Sequence, residues 1–179
     1  MSKPRTALAS DTMKHYRDNG AIDALLDEYE KTLVELDDVI VDITPTQLTT
    51  VVDHQTKDDD CRSIQSVLTH VVRAGYSYVI EIRRWLGEDV EFRERETLDT
   101  IAAYRDALKR MFRYNEQLFM DHPDIQLEEY NPEKKILVRW GQRYDVEQLY
   151  EHAIVHVLRH RRQIERFLLM LRYPENFGG

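Results

Sequence analysis

The chain has 179 residues, 42% apolar and 32% charged, and carries a net charge of −8 when its seven histidines are counted neutral. That length suits a single domain with a real core, and the acidic balance excludes nucleic-acid binding as its main activity. A lone cysteine, Cys61, excludes an internal disulfide framework and any cysteine-based zinc cluster within the chain.

The first 19 residues are expected to be an extension ahead of the domain, which is taken as one unit over 1–179. A first helix is predicted over 21–41, where Ile22, Leu26, Tyr29, Leu33, Leu36 and Ile40 recur in steps of four and three. Thr44-Pro45-Thr46-Gln47 follows: a capping threonine, proline at the first helical position and a glutamine to close the box, so a short helical turn. The polar stretch 53–61 reads as a loop, and its Asp58-Asp59-Asp60 run as solvated or as favourably placed ahead of a helix N-terminus.

Ser63 caps a second long helix over 64–86, with Ile64, Val67, Val71, Ala74, Tyr78, Ile82 and Trp85 as its inward stripe. Thr97 is read as the cap of a third, over 98–120, with Ile101, Tyr104, Leu108, Met111 and Leu118 inward. An irregular stretch follows, in which the β-branched patch 136–140 and Trp140-Gly141 suggest a small hairpin. Asp145 and Gln148 make a capping box for the last helix, over 146–171. Four long amphipathic helices predict an all-α four-helix bundle. There is no run of ~18 apolar residues and no apolar N-terminal leader, so the expectation is a cytoplasmic protein that does not engage membranes.

The last helix is unusual. Its apolar seam runs through Val146, Leu149, Ala153, His156, His160, Ile164, Phe167 and Leu171, with His152 one turn earlier. A buried imidazole without a partner costs about 1–3 kcal/mol, so two stacked in a seam need an explanation. Residues four apart lie about 40° apart around a helix and ~6 Å along it, and two neutral imidazoles so placed can share a metal ion. A third ligand must come from elsewhere. His15, His54 and His122 fall before, between and after helices, whereas His70 lies inside the second long helix. Its neighbours on the helical wheel are Ser63, Ser66, Ala74 and Ser77, small residues that leave room for water or a ligand.

The residues three positions before His70, His152, His156 and His160 are Val67, Leu149, Ala153 and Val157. The Glu-x-x-His motif of di-iron bundles is therefore absent, as is the His-Glu-x-x-His of zinc peptidases. The pattern points to a mononuclear site. Three imidazoles would leave a coordination position open, where an ion lowers the pKa of a water or a small thiol. Hydrolysis also needs a general base; Glu81 is nearly three turns beyond His70, and no better candidate emerges. Arg159, Arg162 and Arg166 form a solvated flank, with Arg159 as the one alternative contact for an anionic substrate. His152 is open between a supporting role at the site and a surface position. Cys61 reads as an inert thiol, and the sequence does not choose among Tyr76, Tyr78 and Tyr150 as pocket-lining residues.

The phrases Ser63-Ile64-Gln65-Ser66-Val67-Leu68-Thr69-His70 and His156-Val157-Leu158-Arg159-His160-Arg161-Arg162-Gln163 resemble the DinB/YfiT superfamily, as does the Thr44-Pro45 turn ahead of the first. The likeness extends over essentially the whole chain. It implies a four-helix bundle in which His70, His156 and His160 hold one divalent metal ion, zinc first and nickel second. It also implies a homodimer acting on a small-molecule substrate, as a metal-dependent hydrolase or as a transferase using a low-molecular-weight thiol such as bacillithiol or mycothiol. One departure stands out: the family often has glycine where this chain has Arg162. The alternative expectation is a non-catalytic dimeric helical interaction or stress-response protein, whose metal site is structural or vestigial.

Overall fold

Four of the helices start where the sequence supplies a local partner for unpaired backbone N–H groups. The computed structural model describes residues 20–176; the 1–19 extension, with His15, lies outside the described residues. In chain order it contains α1 (Gly20–Ile40), α2 (Pro45–Thr49), α3 (Ile64–Trp85), α4 (Ile101–Asp121), β1 (Ile136–Leu137), β2 (Arg143–Tyr144) and α5 (Val146–Arg172). Capping boxes start α2 at Thr44 with Gln47, α3 at Ser63 with Ser66, and α5 at Asp145 with Gln148. Among the described residues the fold is all-α apart from one two-stranded ladder and an isolated bridge between Val51 and Ser63.

The third long helix begins later than the sequence suggests. Thr100, not Thr97, is its cap, with Oγ1 accepting from the Ala103 N–H at 3.1 Å. Leu98 is held outside the helix by tertiary bonds: its N–H donates to the Tyr104 hydroxyl at 3.1 Å, and its carbonyl accepts from Gln65 at 2.9 Å.

The main helix contacts close a ring, α1 against α5 and α4, and α3 against α4 and α5. Tyr29 of α1, Phe112 and Phe119 of α4 and Tyr150 of α5 form its aromatic centre. Both buried tyrosine hydroxyls find acceptors, Tyr29 on the Met111 sulfur at 3.6 Å and Tyr150 on the Asn115 carbonyl at 3.1 Å. Gly75 permits the close approach of α3 and α4, since a Cβ there would stand 2.4 Å from the Met111 sulfur.

α3 departs from the single inward stripe. Every residue from Gly75 to Arg83 is buried, because the segment leading into α4 and the β1–β2 hairpin cover the side that α4 and α5 leave open. Its polar residues are accordingly partnered. Buried Glu81 accepts from the backbone N–H of Arg139 at 3.1 Å and from its Nε at 3.3 Å, while Arg83 pairs with Glu88 and Asp121. Trp85, expected inward, is 41% exposed at the helix end and donates to the Lys134 carbonyl.

The hairpin pairs Ile136 with Tyr144 and Leu137 with Arg143. Its turn is closed by a bond from the Gly141 N–H to the Val138 carbonyl at 2.8 Å, with Gly141 at φ +86°. That left-handed position favours glycine. The turn puts Arg139 and Trp140 at the edge of a cleft between α3 and α5. No helix among the described residues is long and apolar enough to cross a membrane.

Candidate metal centre

His70 sits two turns into α3, and His156 and His160 one turn apart on α5. The packing of α3 on α5 brings all three together: ring centroids are 4.8 Å apart for His70–His156, 4.9 Å for His70–His160 and 4.4 Å for His156–His160. One ring nitrogen from each lies within 4.8 Å of the others, so the trio could hold a metal ion. The remaining described histidines fall elsewhere. His54 is exposed in the acidic loop, and His122 meets Glu88 at 2.6 Å beside the Arg83 network.

Two of the rings are oriented from behind. The Asp60 carboxylate lies 3.2 Å from His70 Nδ1, and as a carboxylate it only accepts. The proton is therefore on Nδ1, and Nε2 is left with its lone pair. His160 is fixed similarly. Gln163 donates through Nε2 to the Cys61 carbonyl at 3.4 Å, so its Oε1 faces His160 Nδ1 at 2.9 Å and accepts. Such bonds to the outer nitrogen fix tautomer and ring orientation in metal sites. His70 Nε2 and His156 Nε2 lie 2.8 Å apart. Two nitrogens that close need a proton or a cation between them: either neutral His156 donates its Nε2–H to the His70 lone pair, or a metal ion takes both lone pairs. The donor chemistry fits a divalent ion that takes neutral imidazole.

Electrostatics favour neutral His156 and His160. Burial, then the neighbouring His160 and His70, pulls the His156 pKa down to about 2. Burial also brings His160 down to about 4, against the opposing pull of the Gln163 bond.

Asp60 reads in the sequence as part of a solvated or helix-preceding aspartate run, and Gln163 only as the end of the second histidine phrase; neither pattern predicts a contact with a ligand ring. Gln163 was legible in principle, being three residues past His160 and so on the same face. Asp60 was not, because its position depends on how its loop is tied down. Val52 and Asp53 donate to the Arg62 carbonyl at 2.8 and 3.1 Å, and Asp58 caps the 3₁₀ turn Asp59–Cys61 through the Asp60 N–H. Arg95 then holds the other Asp60 oxygen at 3.0 Å. Of the small strip around His70, Ser63 and Ser66 serve as the helix cap, while Ala74 and Ser77 do line the cleft.

That cleft, about 360 Å³, opens beside His70 and His156. Tyr78 is the tyrosine that lines it; Tyr76 packs on Tyr114 instead, and Tyr150 is in the core. His152 is in the cleft wall, stacked on Trp140 with centroids 5.9 Å apart, and outside the three-nitrogen cluster. Its tautomer follows from a chain of donors. The Trp140 N–H only donates, so the Gln142 atom it meets at 3.1 Å is the carbonyl oxygen. Tyr144 O–H donates to that same oxygen. The tyrosine oxygen is then the acceptor for His152 Nδ1–H at 3.4 Å, which leaves Nε2 as the basic nitrogen. Glu81, by contrast, is committed to Arg139. Cys61 is half-buried, and burial pushes its thiol pKa up. Arg159, Arg162 and Arg166 are exposed on α5.

No protein-family model matches the chain, and no curated protein matches it either.

Proposed function

We propose that this chain is a four-helix bundle of the DinB/YfiT-like type. In this reading His70, His156 and His160 hold one divalent ion, zinc or nickel, and the protein is an enzyme acting on a small molecule by hydrolysis or thiol transfer. The observation that carries it is the trio itself: His70 and His160 have their outer nitrogens engaged by Asp60 and Gln163, which turns Nε2 inward beside an open cleft. Among the described residues the cluster offers three side-chain ligands, not the four of a closed structural site. A bound ion would supply Lewis acidity at the remaining position, lowering the pKa of a water or thiol there.

The chain's own residues would do the rest. Asp60 and Gln163 keep two ligands in the correct tautomer. His152, with Nδ1–H engaged by Tyr144, offers Nε2 to take a proton from the attacking group, a role for which the sequence suggested no candidate. Tyr78 and Trp140 meet edge-on and form part of the cleft wall. A homodimer in the cytoplasm belongs to the same reading, and sedimentation tests the dimer.

The deciding assay supplies zinc- or nickel-loaded protein with a panel of small thiols and an electrophile, and separately with ester and amide substrates. Turnover that needs the ion and disappears in His70→Ala is expected. One bound ion per chain with no turnover of either kind would leave a non-catalytic metal protein.

A further inference from the structure

Beyond the histidines, the same cleft is lined by Arg73 and Trp140. Arg73 follows His70 by one turn of α3 and lines the cleft. Among the described residues no carboxylate pairs with it. The other guanidinium in the wall, Arg139, is already matched: Glu81 accepts from its Nε at 3.3 Å, and its Cζ lies 3.5 Å from the Phe92 ring centroid. The two arginines therefore differ, and Arg73 carries the unanswered charge.

Trp140 is held in one orientation. Its Nε1 donates to Gln142 at 3.1 Å, His152 stacks on it with 28° between planes, and Tyr78 meets it edge-on at 5.9 Å. Even so, Trp140 lines the cleft and is 43% exposed overall. Apolar surface left in water is unfavourable. A side chain both exposed and already ordered is a preformed surface for a flat apolar group, since little further entropy is lost on contact. The cleft volume of about 360 Å³ falls at the small end of ligand sites.

We propose that this cleft binds a small planar monoanion, aromatic or conjugated, with its carboxylate on Arg73 and its ring on Trp140. The proposal deepens the function given above by naming the ligand class of that cleft, but its two anchors are independent of the three imidazoles.

Calorimetric titration of the full chain, chelator-treated and zinc-loaded in parallel, tests it with three probes. These are trans-cinnamate, the uncharged cinnamamide of the same shape, and hexanoate, which has the charge without the ring. In chelator-treated protein cinnamate is expected to bind roughly tenfold more tightly than cinnamamide, the size of effect a charge-assisted hydrogen bond supplies, and roughly tenfold more tightly than hexanoate, about the most an aromatic contact supplies. Arg73→Gln should bring cinnamate down to the affinity of the amide while leaving the amide unmoved, and Arg73→Lys should keep part of the preference. Trp140→Leu should bring cinnamate down to hexanoate. Circular-dichroism melts of the variants establish that they fold.

Equal binding of cinnamate and cinnamamide, or a preference that survives Arg73→Gln, overturns the anion site. Hexanoate binding as tightly as cinnamate overturns the ring platform. Metal content measured on the same samples separates the two levels of inference. About one zinc per chain with no acid preference sinks this proposal alone, whereas an acid preference without zinc uptake supports it and removes the metal reading.

Discussion

Removing the carboxylate behind His70 is expected to weaken ion binding by about tenfold. Partners of this kind change metal affinity by about 10–100-fold, or about 1.4–2.7 kcal/mol. The low end applies here for two structural reasons. The Asp60 and His70 side chains are 21% and 27% exposed, so water screens their interaction. Arg95 also shares the carboxylate at 3.0 Å and already balances part of its charge. Asp60→Ala removes both charge and acceptor and should show the full effect. Asp60→Asn keeps an acceptor for Nδ1–H but not the charge, which halves the energetic effect and predicts a loss of about threefold. Competition for zinc against a chromophoric chelator near neutral pH measures both variants against the parent. An Asp60→Ala protein that folds and binds zinc as tightly as the parent would refute the claim that the acidic loop orients the ligand.

Acid should destabilise the chelator-treated protein before carboxylates titrate. His156 and His160 have pKa values lowered in the fold to about 2 and about 4, so each contributes stability in full above its unfolded value, lost progressively as pH falls toward the folded one. Urea melts should show stability dropping from pH ~6.5 to ~5, and His156→Gln should flatten that slope; a flat parent profile would contradict the burial of these rings. Gly75→Ala should destabilise by about 1–3 kcal/mol, since its methyl group would sit 2.4 Å from the Met111 sulfur. Shortening the contact residue in Gly75→Ala/Met111→Ala should make the glycine change nearly neutral, and denaturant unfolding checks both. Long-range ¹H–¹⁵N NMR should find His152 as the Nδ1–H tautomer, with Tyr144→Phe shifting it toward Nε2–H; an Nε2–H ring in the parent would break the donor chain through Trp140 and Gln142.

Much of the helical frame was legible because it is local. The Thr44, Ser63 and Asp145 caps act within three residues, and they set the starts of α2, α3 and α5. Thr97 and Thr100 offer competing local signals, and the choice fell to Leu98, whose bonds to Tyr104 and Gln65 are tertiary. His156 and His160 were visible as a break in an apolar period, and His70 as the histidine inside another helix. Their supporting groups were harder to see. Asp60 lies ten residues from His70 across a loop shaped by its own aspartates, so no periodicity connects them. From the sequence Glu81 is only a base too far along the helix from His70; the Arg139 turn that buries it is 58 residues away in sequence. That same hairpin supplies Arg139 and Trp140 to the cleft, a juxtaposition that depends on α3 and α5 being already packed.

The central claim is that His70, His156 and His160 share one divalent ion, and elemental analysis tests it most directly. Protein purified without added metal or a histidine tag is expected to carry about one zinc or nickel per chain. His156→Ala should lose that ion while retaining its helical circular-dichroism spectrum. Metal content unchanged in a folded His156→Ala protein, or a parent that takes up no divalent ion even when zinc is offered, would contradict the account.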